Sequence, residues 1–508
     1  MRASRRQWLL GAVIVLLVVA AYVPALQSGY IWDDDVYVTN NPSLRSAEGL
    51  WSSWTHLNAN VQYYPLVFTS FWLEYHLWQL APAGYHAVNV ALHLLNALLV
   101  WRILRQLGVP GGWLAAAVFA LHPVHVESVA WITERKNVLS GFFYLGAMWT
   151  YLRFDDARRS TSSLGAGRTW SNVWALYALA ALLFCCALLS KTVTAMLPVA
   201  LLVIAWWKRG SLGKRDVMPL VPFLLVGAVM GSLTAWVERV QVGALGGDWD
   251  LSLIERFLVA GRAIWFYVGK LVLPANLTFS YPRWSIDAGT WWQFLLPASV
   301  IAATAVLYVT RDRIGRGPFA AAVFFIATLV PALGFFDVYP MRYSFVADHF
   351  QYLASLGPIV VVSSMLATAA NRFTRADVRF SARARRLMAL ALVSPLLVTL
   401  AGLTWKQSSI YRNEETLWFD TIAKNPGSWM AYNNLGLYYF RQGEWGLALP
   451  RFRQSVTINP DNAEAHYNLA LVLQGIGRDA EAESHFDTAS RLRPGIGRNR
   501  GPESRSPP

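Results

Sequence analysis

Long apolar runs return again and again up to residue 405, near 8–26, 86–106, 112–124, 138–154, 172–189, 193–208, 216–236, 291–310, 318–336, 350–370 and 386–405. Most are close to the ~20 residues that a helix needs to cross a hydrocarbon core about 30 Å thick. Inside lipid every backbone polar group must be satisfied within the protein, so runs of this length are expected to be helices. The fold class that follows is all-α, a polytopic helical membrane protein. Its charged content of 15% is well below that of soluble domains, which excludes an ordinary cytosolic enzyme. The 24 Trp suit membrane–water interfaces. The two cysteines, Cys185 and Cys186, are adjacent in an apolar run, which excludes a disulfide scaffold and a cysteine zinc site.

A formal charge of +14 invites a nucleic-acid partner, but its placement argues against one. From Lys406 onward twelve Lys/Arg face eleven Asp/Glu, which leaves +13 for the apolar portion. There the basic residues cluster in short loops: Arg2, Arg5 and Arg6; Arg102 and Arg105; Arg153, Arg158, Arg159 and Arg168; Lys208, Arg209, Lys214 and Arg215; Arg311, Arg313 and Arg316; and Arg372 to Arg386. About eleven crossings that start inside put every cluster on the cytoplasmic face, as the positive-inside rule requires. The run 253–274 carries Arg256, Arg262 and Lys270 and is expected to lie in the outer interface or re-enter it. The first run could be a cleaved signal peptide, but its length favours a retained span.

Beyond the last run the composition becomes that of a soluble domain. Residues 427–460 and 461–494 superpose at a period of 34: Asn434 on Asn468, Gly443 on Gly477, Ala448 on Ala482, Pro460 on Pro494. That period is the tetratricopeptide signature, with a half-repeat before it over Glu414–Lys424. The domains expected are a membrane domain over 1–405, a repeat α-solenoid over 406–494 and a disordered tail over 495–508. Stacked helix pairs form a concave groove, in which Asn434 and Asn468 can clamp an acceptor or partner peptide; equally, so short an array can merely cap the last span. Topological parity places it outside the cytoplasm.

Chemistry is expected in the outward loops. The first carries Asp33, Asp34 and Asp35, three consecutive carboxylates suited to a proton transfer or a cation, although a solvated acidic turn reads the same way. The next carries His122, His125 and Glu127, which a turn could gather round a metal; a hydrogen-bonded structural cluster is the plainer reading. Arg135, Lys136, Lys191 and Arg342 are outward cations against the positive-inside trend. Singly each could be an interfacial snorkelling residue, but together they suit a phosphate. A carboxylate that deprotonates a hydroxyl beside cations that bind a departing phosphate is the equipment of a sugar transferase with a lipid-phosphate donor.

These stretches resemble the polytopic GT-C glycosyltransferases, and within them the transmembrane and tetratricopeptide-repeat-containing O-mannosyltransferases and their bacterial relatives. The likeness lies in the acidic pair Asp33–Asp34 with Asn41, in Ala91–Asn96, in His122–Glu127 with Arg135, in Arg342-Tyr343 leading to Leu353–Gly357, and in the repeats. It touches roughly residues 20–150, 330–360 and 414–494. The resemblance implies a GT-C-like fold and inverting transfer of mannose or another hexose from a polyprenyl-phosphate donor to a hydroxyl of a protein or glycan acceptor. An acidic residue of the first outer loop would be the base. Asp33 and Asp34 align best with the family's acidic pair, and Asp35 is an extra carboxylate. Nothing in the sequence forces a cofactor, though a divalent cation would suit the acidic loop. The expected address is the bacterial inner membrane, with the repeats in the periplasm. Two other readings compete: a non-catalytic scaffold whose repeats recruit envelope proteins, and a lipid-linked sugar transporter. The transporter would need pseudo-symmetric halves, and the hydropathy shows none.

Overall fold

The computed structural model describes residues 5–164, 170–244, 246–376 and 382–496. Arg2, Arg168, Arg379 and all but the first two residues of the expected disordered tail fall outside them. Among the described residues the regular structure is helical throughout, with no strand.

Each apolar run became a helix or a bent pair of helices. Pro82–Gln106, Ser171–Leu188, Thr192–Arg209, Lys214–Val240 and Trp291–Val309 are long and apolar enough to cross a membrane. Gln7–Ala21, Gly317–Ala332 and Leu356–Ala370 are shorter apolar helices. Two further runs lie inside the long helices Arg135–Leu164 and Ala382–Ile410. The chain is therefore a multi-pass membrane protein. The run near 112–124 departs from a straight span: Gly112–Leu121 and Pro123–Ala130 meet at 54°. Proline at the break cannot donate to the preceding turn. Irregular backbone at membrane depth is tolerated only inside protein, and Leu121 to Val138 is buried throughout. That enclosed segment carries Glu127, Trp131, Glu134 and Lys136, which line one cavity.

The run 253–274 is an amphipathic helix, Leu253–Val272, opened by a Ser252–Glu255 capping box. All three of its basic residues are engaged. Arg256 pairs with Asp337 at 2.7 Å, Arg262 lies over the Trp284 ring, and Lys270 donates to the carbonyls of Ala275 and Asn276.

The last membrane helix continues to Ile410, and the repeat helices follow as Glu414–Lys424, then the pairs Trp429–Arg441/Trp445–Ile458 and Ala463–Gly475/Asp479–Leu492. Gly443 and Gly477, one period apart, both turn between paired helices at φ 77°, a left-handed conformation that favours glycine. Ala448 and Ala482 are buried where paired helices touch. The array is fastened to the membrane domain at its first turn. Lys424 donates to the Leu277 carbonyl (2.7 Å) and Asn425 to that of Ser280 (3.1 Å). Trp32 N–H donates to Glu414 (3.2 Å), and the Trp32 ring meets Trp418 edge-on. The repeats thus rest on the loop that carries Trp32 as well as following from the last helix.

Candidate functional site

Three adjacent carboxylates leave the first loop in three directions. Trp32 sits at φ 44°, a left-handed conformation uncommon for a bulky residue, and a single π-type turn, Asp35–Thr39, follows. Asp34 points into the protein and is fully buried. One oxygen accepts from Ile31 N–H (2.9 Å), the other from the backbone N–H (2.8 Å) and hydroxyl (2.7 Å) of Thr133. Asp35 turns to the repeats, 3.6 Å from Arg441. Asp33 is the member that lines the cavity between this loop and the enclosed segment.

Burial pushes the Asp34 carboxyl up to about 7, against the lowering effect of its three hydrogen bonds. The native state therefore keeps a proton that the unfolded chain releases near 3.8. This contribution to stability is complete below the unfolded value and is lost as pH rises through the folded one. The melting temperature of wild type minus that of Asp34→Asn should accordingly fall between pH 4 and 7 and level off above. A difference independent of pH would remove this account of the residue.

The cavity measures about 640 Å³ and opens between the first loop, the enclosed segment, and the helices Leu197–Arg209 and Val221–Val240. Its polar wall is one connected ribbon. Lys191 and Lys136 both hold Glu134, at 3.0 and 3.3 Å. His349 lies 4.0 Å from Glu134 and 3.0 Å from Glu127. Lys136 continues to Gln62 (3.5 Å), which Tyr37 also reaches (2.7 Å), and Gln62 donates to Glu238. Burial alone would raise Glu134, but His349, Lys191 and Lys136 together hold its carboxyl well below the usual range. Burial pulls the Lys191 ammonium down while Glu134 opposes it. Much of the remaining wall is apolar, including Val199, Leu224, Ala228, Ala235 and Val330, with hydroxyls such as Thr192 and Thr234 and the Asp337 carboxylate among them.

The structure separates the four outward cations read from the sequence. Lys136 and Lys191 line the cavity. Arg135 does not: it is fully enclosed, pairs with Glu74, and donates to Asn89, to Ser70 (3.1 Å) and to the Tyr85 carbonyl (2.9 Å). Arg342 also lies outside the lining. It donates to the Tyr339 hydroxyl (3.0 Å) and sits over the Trp429 ring, with Asp248 at 3.6 Å.

His122, His125 and Glu127 are not drawn round one point. His122 Nε2 is 3.0 Å from the Leu271 carbonyl, and His125 is 2.7 Å from that of Phe119 and 3.0 Å from the Ser355 hydroxyl. Only Glu127 faces the cavity. Among the described residues no group of three or more His, Cys, Asp and Glu is placed to hold a metal.

In the repeats, Asn434 lines a small cleft with Asp33, Asp35, Glu414 and Arg441. Asn468 is instead tied across the helix pairs to Asn433 (3.1 Å). Glu134, Glu238, Gln62 and His349 were not singled out as site residues from the sequence. Glu238 carried a usable signal, an acidic residue at the end of an apolar run.

Comparison with known proteins bears out the resemblance read from the sequence. A model described as TPR repeat matches residues 436–477. The chain is 23% identical over 502 residues to the protein O-mannosyl-transferase F38B6.6 of Caenorhabditis elegans, covering 95% of this chain and 62% of that protein. It is 25% identical over 564 residues to the protein O-mannosyl-transferase Tmtc3 of Drosophila melanogaster, covering 95% and 58%. A shorter stretch of 163 residues is 31% identical to the protein O-mannosyl-transferase TMTC2 of Mus musculus, covering 30% of this chain and 19% of that one. The chain thus spans less than two thirds of the length of these curated relatives. Among solved structures, ArnT from Cupriavidus metallidurans, determined with bound undecaprenyl phosphate, matches 94% of this chain and 79% of its own at 14% identity and a TM-score of 0.37.

Proposed function

We propose that the chain is a membrane glycosyltransferase that moves a hexose, in the first instance mannose, from a polyprenyl-phosphate donor to a hydroxyl acceptor on the outer face of the bacterial inner membrane. The observation that carries this reading is the meeting, in one cavity, of Asp33, Lys136 and Lys191 with an apolar wall drawn from the helices Leu197–Arg209 and Val221–Val240. Glu134 holds the two ammonium groups beside one another, so the trio carries a net positive charge suited to a phosphate. The prenyl chain lies along the apolar wall.

Asp33 takes the proton of the acceptor hydroxyl as its oxygen bonds to the anomeric carbon. The bond from that carbon to the phosphate oxygen breaks, and polyprenyl phosphate leaves with the electron pair. Attack opposite the leaving group inverts the anomeric centre. Lys136 and Lys191 stabilise the charge gathering on the phosphate. The acceptor reaches Asp33 from the repeat side, past Asn434. Arg342 helps to hold the repeats against the cavity rim through Trp429.

The test is donor turnover by purified protein in lipid, offered radiolabelled polyprenyl-phosphate sugars with membrane extract as acceptor. Lys191→Gln, which keeps a donor toward Glu134 but removes the charge, should lower kcat/KM by about 10²–10³-fold. Wild type that consumes no donor, while its repeats still retain envelope proteins, would replace this reading with the scaffold.

A further inference from the structure

The transfer chemistry uses one carboxylate and two lysines and leaves another carboxylate of the same cavity without a task. Glu238 stands near the end of the helix Val221–Val240, is 3% exposed, and lines the cavity with Gln62. An ionisable residue that a membrane-spanning helix turns toward a cavity marks a functional position by default. Its direct partners are neutral: Gln62 donates to Oε1, and the Tyr339 backbone N–H donates to Oε2 at 3.1 Å. Each carboxylate oxygen can accept two hydrogen bonds, so both retain a lone pair. Gln62 is itself fixed, because its carbonyl oxygen accepts from the Tyr37 hydroxyl and from Lys136.

A buried carboxylate repels phosphate and accepts hydrogen bonds only, which suits a neutral, hydroxyl-rich group. Lys136 joins the two ends of the ribbon, touching Glu134 on one side and Gln62 on the other. One ligand with a phosphate beside a sugar ring would span both ends. We infer that Glu238 and Gln62 form the subsite for the sugar ring of the donor, with the Glu238 carboxylate accepting from a neighbouring pair of ring hydroxyls. The inference rests on the transferase reading above and assigns to this pair the choice of sugar. A donor that lacks one of those hydroxyls leaves a buried acceptor unpaired, which is the strongest way for a pocket to reject an analogue.

The experiment compares wild type, Glu238→Gln, Glu238→Ala and Gln62→Ala with three probes: the polyprenyl-phosphate hexose, its monodeoxy analogues, and bare polyprenyl phosphate as competitor. Glu238→Ala should raise the donor KM about 10–100-fold and erase discrimination against one deoxy donor. Competition by bare polyprenyl phosphate should stay within twofold of wild type, which also reports an intact fold. Should the alanine variant fail to fold, Glu238→Gln carries the same comparison. Equal weakening of donor and bare lipid phosphate, or a donor KM unchanged in both Glu238 variants, overturns the sugar subsite and leaves the transferase standing. Wild type that neither turns over the hexose donor nor binds bare polyprenyl phosphate overturns both.

Discussion

Asp33→Asn should lower kcat for sugar transfer by about 10²–10⁴-fold, the range that a positioned general base supplies, with donor KM nearly unchanged. The amide fills the same space but cannot take the acceptor proton, and the lysines that hold the phosphate are untouched. Asp34→Asn should act differently. It places an NH₂ where Asp34 now accepts from Ile31 or Thr133, so it weakens the fold of the first loop. Its effect should appear in the melting temperature before it appears in turnover. Asp35→Asn should loosen the contact with Arg441 and spare the chemistry. If Asp33→Asn transfers at the wild-type rate, the base lies elsewhere, and Glu127 on the same cavity wall is the next residue to change.

What the sequence could and could not disclose follows from how local each signal is. The apolar runs are helices because hydrophobic length and period are properties of contiguous residues. The matched glycines Gly443 and Gly477 mark turns because a left-handed φ is a property of one residue. The ranking of the three aspartates was hidden. It depends on the φ of Trp32 and on Thr133, which is distant in the chain but hydrogen-bonded to Asp34. Arg135 and Lys136 look alike as an outward basic pair, yet successive residues on a helix point about 100° apart; one is walled in and the other faces the cavity. His122 and His125 have a spacing that suits a metal, but their ring nitrogens are met by carbonyls and a hydroxyl from other segments. Gln62 and Glu238 come from separate loops and helices and are joined only by the fold.

Arg135 offers the sharpest separation between a bracing and a binding role. Its guanidinium is fully enclosed and satisfied on every side, by the Glu74 carboxylate, Asn89, Ser70 and the Tyr85 carbonyl. These partners come from the helices Pro65–Trp78 and Pro82–Gln106, so one side chain joins both to the start of the helix that carries Lys136. Arg135→Met should destabilise the protein by about 3–5 kcal/mol, because it leaves Glu74 as an uncompensated buried charge. Adding Glu74→Met should recover most of that loss, since a buried ion pair replaced by apolar side chains is often close to neutral. Thermal unfolding of the two single variants and the double variant measures the coupling directly. A phosphate-binding Arg135 predicts the reverse pattern: a folded Arg135→Met protein with a raised donor KM, and no rescue by Glu74→Met. Rescue of stability in the double variant, with donor KM within a few-fold of wild type, would establish that Arg135 holds the wall on which Lys136 stands.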